Sequence, residues 1–170
     1  MLQMQKCLGF IKSFRSLKLA ITIGIIGLIL DILTKWWVVS NFSFGESISV
    51  FPFFNLVRVH NYGITFGVLY DAVPSYALAI VSCIVIFCLV YWANKEREYA
   101  PFIILVIFGA LGNIIDRFLY GYVVDFLDFF ILQYHWPAFN IADCMIVFGN
   151  LNLLLILLCD NNKRDLRRKK

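Results

Sequence analysis

Four long apolar stretches dominate this chain, each close to the roughly 20 residues that an α-helix needs to cross a bilayer. They run over about 19–39, 73–93, 101–119 and 141–158. A segment of that length in lipid must satisfy its backbone N–H and C=O groups internally, so four helices are expected. Composition points the same way: 61% of the 170 residues are hydrophobic and only 15% charged, against about half and a quarter in soluble domains. The fold class is therefore an all-α polytopic membrane protein, a bundle of four transmembrane helices forming a single domain over 1–170. No internal repeat or low-complexity linker interrupts it.

Lys6, Lys12, Arg15 and Lys18 flank the first span, which raises the alternative of a cleavable secretory signal. Its apolar run is too long for one, carries Asp31 and Lys35, and lacks a small-x-small cleavage site, so a retained helix is the reading. Loop charge sets the orientation. Twelve Lys and Arg residues lie before span one, between spans two and three (Lys95, Arg97) and after span four, whereas the other side holds Arg58 alone. That asymmetry places both termini in the cytoplasm and the connections 40–72 and 120–140 outside. The first outer connection contains "SISVFPFFNLVRVHNYGITFGVLY", in which β-branched and aromatic residues alternate before a turn-like Asn61-Tyr62-Gly63. It reads as a small extracytoplasmic β-structured segment at about 43–70, lying on the membrane surface; a plain outer loop is the alternative. Trp36-Trp37 and Phe129-Phe130 read as interface anchors, and Glu46, Asp71 and Asp128 as solvated at the interface.

Several functions are excluded or disfavoured. Nucleic-acid binding would need a folded polar surface carrying basic residues, and none is foreseen. Cys7, Cys83, Cys88, Cys144 and Cys159 form no C-x-x-C pair and read as small buried hydrophobes. His60 and His135 belong to no metal-binding spacing and read as interfacial or hydrogen-bonding residues. Neither a G-x-S-x-G elbow nor a P-loop is present.

The remaining signal is the depth of the ionisable residues. At roughly 1.5 Å per helical residue, Asp31, Lys35, Asp116 and Arg117 lie some 20–26 Å from the inner boundary. Asp143 enters from the outer side in the first turn of span four, and Asp125 sits in the connection just above. Asp31 and Lys35, spaced i, i+4, are explained by a structural ion pair. Asn113 shares a helix face with Asp116 and Arg117, and Asn140 and Asp143 repeat an i, i+3 arrangement. Interhelical hydrogen bonds alone account for these equally well. Gly109 and Gly112 allow close helix approach. In number, Asp31 and Asp116 match Lys35 and Arg117, which leaves Asp125 and Asp143 without a cation. Two close carboxylates in a poorly solvated site share a proton. Such a pair supplies a base and an acid around one water, as peptide hydrolysis requires. Asp143, near a helix N-terminus, reads as the base and Asp125 as the initial proton holder. A small proton-coupled carrier and a non-catalytic assembly subunit are the competing readings of the same residues.

Five motifs then carry a resemblance: "DILTK" (31–35), "NYGITF" (61–66), "GALGNIIDR" (109–117), "GYVVDF" (121–126) and "FNIAD" (139–143). In this order on four spans, they make the chain resemble lipoprotein signal peptidase (signal peptidase II), a bacterial inner-membrane aspartic peptidase family. One departure is Phe108 where the family has the first of two glycines. The resemblance implies Asp125 and Asp143 as the catalytic pair, with Asn61, Gly63, Asn113, Asp116, Arg117, Asn140 and Ala142 shaping or supporting the substrate site. It implies cleavage of diacylglyceryl-modified prolipoproteins just before the lipidated cysteine, with no metal or organic cofactor. Partners implied are those substrates, membrane lipids and globomycin-type inhibitors.

Overall fold

Ser16 opens the first helix by accepting Leu19 N at 3.4 Å, satisfying an amide that the helix itself cannot. The computed structural model describes residues 16–63 and 74–168. Lys6, Cys7, Lys12, Arg15, Asp71 and the 64–70 part of the expected outer segment lie outside them. The elements in order are α1 (Leu17–Asn41), β1 (Ser47–Phe51), β2 (Phe54–Asn61), α2 (Ser75–Lys95), α3 (Ala100–Tyr120), β3 (Val123–Ile131), β4 (Tyr134–His135) and α4 (Ile141–Arg168). The helical stretches Leu17–Asn41, Ser75–Lys95, Ala100–Tyr120 and Ile141–Cys159 are each long and apolar enough to span a membrane.

α3 is the central helix and packs against α1, α2 and α4. Lipid tails give apolar side chains little reason to leave them, so close backbone approach must hold the helices together. Gly109 and Gly112 provide it. A Cβ on Gly109 would meet Ala142 O at 2.5 Å, and one on Gly112 would meet Asp31 Oδ2 at 2.6 Å. Phe102, Ile103, Val106, Leu153 and Ile156 form the buried core at one end of the bundle. Outward faces stay apolar, as at Ile26, Leu33, Phe87 and Leu151, which suits a lipid solvent. Cys83, Cys88 and Cys144 are on these exposed faces as free thiols, which corrects their reading as buried residues.

At the far end of the bundle the four strands form one antiparallel sheet in the order β1-β2-β3-β4. Its second half comes from the connection between α3 and α4, for which the sequence reading foresees no strand. Gly121 makes this possible: at φ 77° it closes α3 with its amide on Arg117 O and turns the chain directly into β3. Val38 of α1 and Phe42, which caps its end, pack against Val124 and Phe126 of β3, seating the sheet on the bundle. Arg58 Nη1 adds a second tie, donating to Val39 O at 3.1 Å and Phe42 O at 2.7 Å, carbonyls freed by the end of α1.

Asp128 departs from expectation. It is 6% exposed, accepts Asn55 Nδ2 at 3.0 Å and meets His135 Nδ1 at 2.9 Å, so it is not a solvated interfacial carboxylate. Its strand partner and the returning hairpin cover it, and neither is adjacent in sequence. Glu46 is exposed and accepts Ser43 N at 2.7 Å.

Candidate active site

The ionisable groups converge from different elements: buried Asp31 and Lys35 from α1, buried Asp116 and half-buried Arg117 from α3, buried Asp125 from β3 and half-buried Asp143 from the first turn of α4. One turn of helix brings Lys35 Nζ to 2.8 Å from Asp31 Oδ2. The same ammonium lies 3.0 Å from Asp116 Oδ2 and donates to Asn113 Oδ1 at 3.1 Å. It thus bridges two carboxylates on neighbouring helices, whereas counting charges along the sequence pairs Asp116 with Arg117. Successive helical residues project about 100° apart, so Asp116 and Arg117 face different neighbours. Arg117 instead donates to two backbone carbonyls, Nη1 to Asn113 O at 3.2 Å and Nη2 to Gly63 O at 3.0 Å.

Asp31 and Asp116 each also accept a backbone amide. Ala142 N donates to Asp31 Oδ1 at 2.8 Å, and Val124 N donates to Asp116 Oδ2 at 3.0 Å. Ala142 and Val124 immediately precede Asp143 and Asp125. These amide contacts carry no side-chain signal, and sequence reasoning misses the role of Val124 altogether.

Three asparagines organise the remaining two carboxylates. Asn140 and Asp143 cap α4 reciprocally: Asn140 Oδ1 accepts Asp143 N at 2.9 Å, while Asp143 Oδ2 accepts Asn140 N at 3.3 Å. Asn140 Nδ2 turns to β3 and donates to Asp125 Oδ1 at 2.7 Å. Asn113 Nδ2 donates to Asp143 Oδ1 at 2.8 Å, and Asn61 Nδ2 to Asp125 Oδ2 at 2.9 Å. Asn61 is itself steadied by Gly63 N, which donates to its Oδ1 at 3.1 Å. Among the described residues, neither Asp125 nor Asp143 forms a salt bridge.

Asp125 is 2% exposed. Burial, and then the charge of Asp143, push its pKa up to about 7, although the Asn61 and Asn140 amides favour the ionised form. A carboxyl in that state holds a proton near neutral pH and can donate it. Beside it, Asp143 sits at a helix N-terminus, where the exposed amides and dipole favour an anion. Both carboxylates lie within the reach of one asparagine, Asn140.

The sequence model of the family described as Signal peptidase (SPase) II matches residues 23–159, a range that contains every one of these groups. The chain belongs to the signal peptidase II family. Lipoprotein signal peptidase of Alteromonas mediterranea is 39% identical over 149 residues, covering 84% of this chain and 82% of that one. The protein of the same name from Cupriavidus necator is 44% identical over 132 residues, covering 75% of each. A structure titled as a bacterial membrane enzyme obtained by the in meso method superposes with a TM-score of 0.77 at 33% identity, covering 85% of this chain and 90% of that one. Membership in the signal peptidase II family makes the chain a protease, and its four spanning helices make it a multi-pass membrane protein.

Proposed function

We propose that the chain removes the signal peptide from diacylglyceryl-modified prolipoproteins by an aspartic mechanism, cutting just before the lipidated cysteine, with Asp125 and Asp143 as the catalytic pair. The observation that carries this reading is Asn140, whose side-chain amide binds Asp125 at 2.7 Å while its backbone amide binds Asp143 at 3.3 Å. One residue thereby ties together two carboxylates from a strand and a helix, neither of which forms a salt bridge among the described residues.

In the reaction, Asp143 takes a proton from water as the water oxygen adds to the scissile carbonyl carbon. Asp125 passes its proton to the carbonyl oxygen. As the C–N bond breaks, Asp143 delivers its proton to the leaving amine and Asp125 recovers one from a hydroxyl of the adduct. The pair ends as it began, Asp125 protonated and Asp143 ionised. Asn61 and Arg117 orient polar groups of the substrate backbone, and Asn113 and Asn140 hold the carboxylates. Gly63, Asp116 and Ala142 support them, and Asp31 and Lys35 brace the site as an ion pair.

The location follows from the substrate. The chain sits in the bacterial inner membrane with both termini cytoplasmic and its sheet outside, so the scissile bond meets the carboxylates where a lipid-anchored cysteine leaves the outer leaflet. The acyl chains stay in the bilayer. Globomycin-type cyclic peptides occupy this site and block it.

The test is cleavage of a lipidated precursor by the purified protein. Asp125→Asn and Asp143→Asn each abolish cleavage while leaving the protein inserted and folded. Full turnover by either variant would falsify the assignment. Wild-type kcat/KM falls as pH rises through about 7, where Asp125 loses its proton.

A further inference from the structure

Asp128 follows Asp125 by three positions on β3, and an odd step along a strand reverses the face. Its buried carboxylate is therefore on the other side of the sheet from the proposed catalytic pair. Asn55 lies directly opposite it on β2 and donates to it at 3.0 Å. His135, on β4, lies opposite Phe130; its Nδ1 is 2.9 Å from both Asp128 oxygens, and its ring stacks on Phe130 with centroids 4.9 Å apart. One carboxylate thus ties three strands.

From His135 the chain returns along β3 towards the site. Trp136 N donates to Phe129 O at 2.8 Å and Phe139 N to Leu127 O at 3.1 Å, while Phe139 O accepts Phe126 N and Leu127 N. Between these anchors Pro137 has no amide hydrogen to contribute. Three steps on the return segment face two on β3, so the ladder alone does not define the register. The residue after Phe139 is Asn140.

We propose that the Asp128–His135 pair is a latch on this return segment that positions Asn140 between Asp125 and Asp143. Both are positioning residues: they act through Asn140 and do not touch substrate. The inference rests on the reading of Asp125 and Asp143 as the catalytic pair. Asp125 is faced by Asp143 from α4, Asn140 from the cap that precedes it, Asn61 from β2, Lys35 from α1 and Arg117 from α3. Of these, Asn140 is the one joined directly to the latched segment. Releasing the latch withdraws a hydrogen bond that favours ionised Asp125, so Asp125 then keeps its proton to higher pH.

The experiment measures kcat/KM against pH for full-length protein in detergent, with a lipidated precursor as substrate. His135→Ala and Asp128→Ala are expected to lower kcat/KM at pH 7 by about tenfold and to move its alkaline limb upward by roughly half to one pH unit. The double variant should be no worse than either single one. His135→Asn, which keeps a donor near Nδ1, should restore the wild-type limb. Should an alanine variant fail to fold, His135→Phe keeps the stack on Phe130, removes the donor, and must still move the limb. An active Asp125→Asn overturns the catalytic reading beneath the latch. An inactive Asp125→Asn together with an unmoved limb in the latch variants overturns the latch alone, because a merely structural role lowers the yield of folded enzyme without changing its pH profile.

Discussion

Arg117 Nη2 donates to the carbonyl oxygen of Gly63 at 3.0 Å, so the guanidinium of α3 holds the turn just past β2 and leaves its neighbour Asp116 to Lys35. Two cations, Lys35 and Arg117, therefore serve Asp31, Asp116, Asp125 and Asp143. A poorly solvated cluster with surplus negative charge retains protons, which accords with the raised pKa of Asp125.

Arg117→Lys keeps the charge but removes the fork that reaches two carbonyls, Asn113 O and Gly63 O. An ammonium cannot reproduce that planar double donation. Cleavage of a lipidated precursor should fall by at least roughly tenfold in kcat/KM, the size of one lost hydrogen bond to a charged group. The unfolding midpoint in detergent should fall as well, because both lost bonds lie within the folded chain. Wild-type kcat/KM in this variant would remove Arg117 from the substrate site.

Lys35→Met leaves the buried carboxylates Asp31 and Asp116 facing each other without their shared ammonium. Breaking a buried pair from one side costs about 3–5 kcal/mol. The unfolding midpoint should drop sharply, and adding Asp31→Asn should recover part of the loss. No recovery in the double variant would show that packing, not charge, dominates at this position.

Asp125→Asn should separate stability from activity. The folded-state pKa of about 7 lies above the ordinary 3.8, so the native carboxyl binds its proton more tightly than the unfolded one. Wild-type stability from this group is complete below about pH 4 and is lost as pH rises towards 7. The asparagine variant lacks that slope. Its stability relative to wild type should grow across this window by up to roughly 2–4 kcal/mol and then level off. Parallel pH–stability curves for the two proteins would contradict it.

Gly112→Ala tests the seam between α3 and its neighbours. The added Cβ would lie 2.6 Å from Asp31 Oδ2 and 3.1 Å from Ala142 Cβ, so either the ion pair or the start of α4 must shift. Overpacking of this kind costs about 1–3 kcal/mol. Lower thermal stability together with weaker cleavage is expected, because Ala142 leads directly into Asp143. A variant as stable and as active as wild type would mean that the seam yields freely.

Much of this was legible in the chain. Membrane-length apolar runs announce the helices, and the i, i+4 spacing of Asp31 and Lys35 determines that they meet. The family motifs bring Asn61, Asn113, Asn140 and both acids into view. What stayed hidden depends on contacts between residues far apart in sequence. The Val-Val-Asp-Phe-Leu-Asp run of β3 becomes a strand because β2, more than 60 residues earlier, lies beside it; the side-chain link of Asn61 to Asp125 alone spans 64 positions. Asp128 looks solvated because nothing local says that Asn55 and His135 will cover it. Arg117 looks paired with Asp116 because a tally of charges carries no direction, and helix geometry sends the two side chains to different neighbours.

Lys35 reaches the two proposed catalytic acids by matching routes: through Asp116 to the amide before Asp125, and through Asp31 to the amide before Asp143. A strand and a helix are thus suspended from one ammonium, as two tines rise from one stem. Displacing that ammonium therefore disturbs the support of both acids at once.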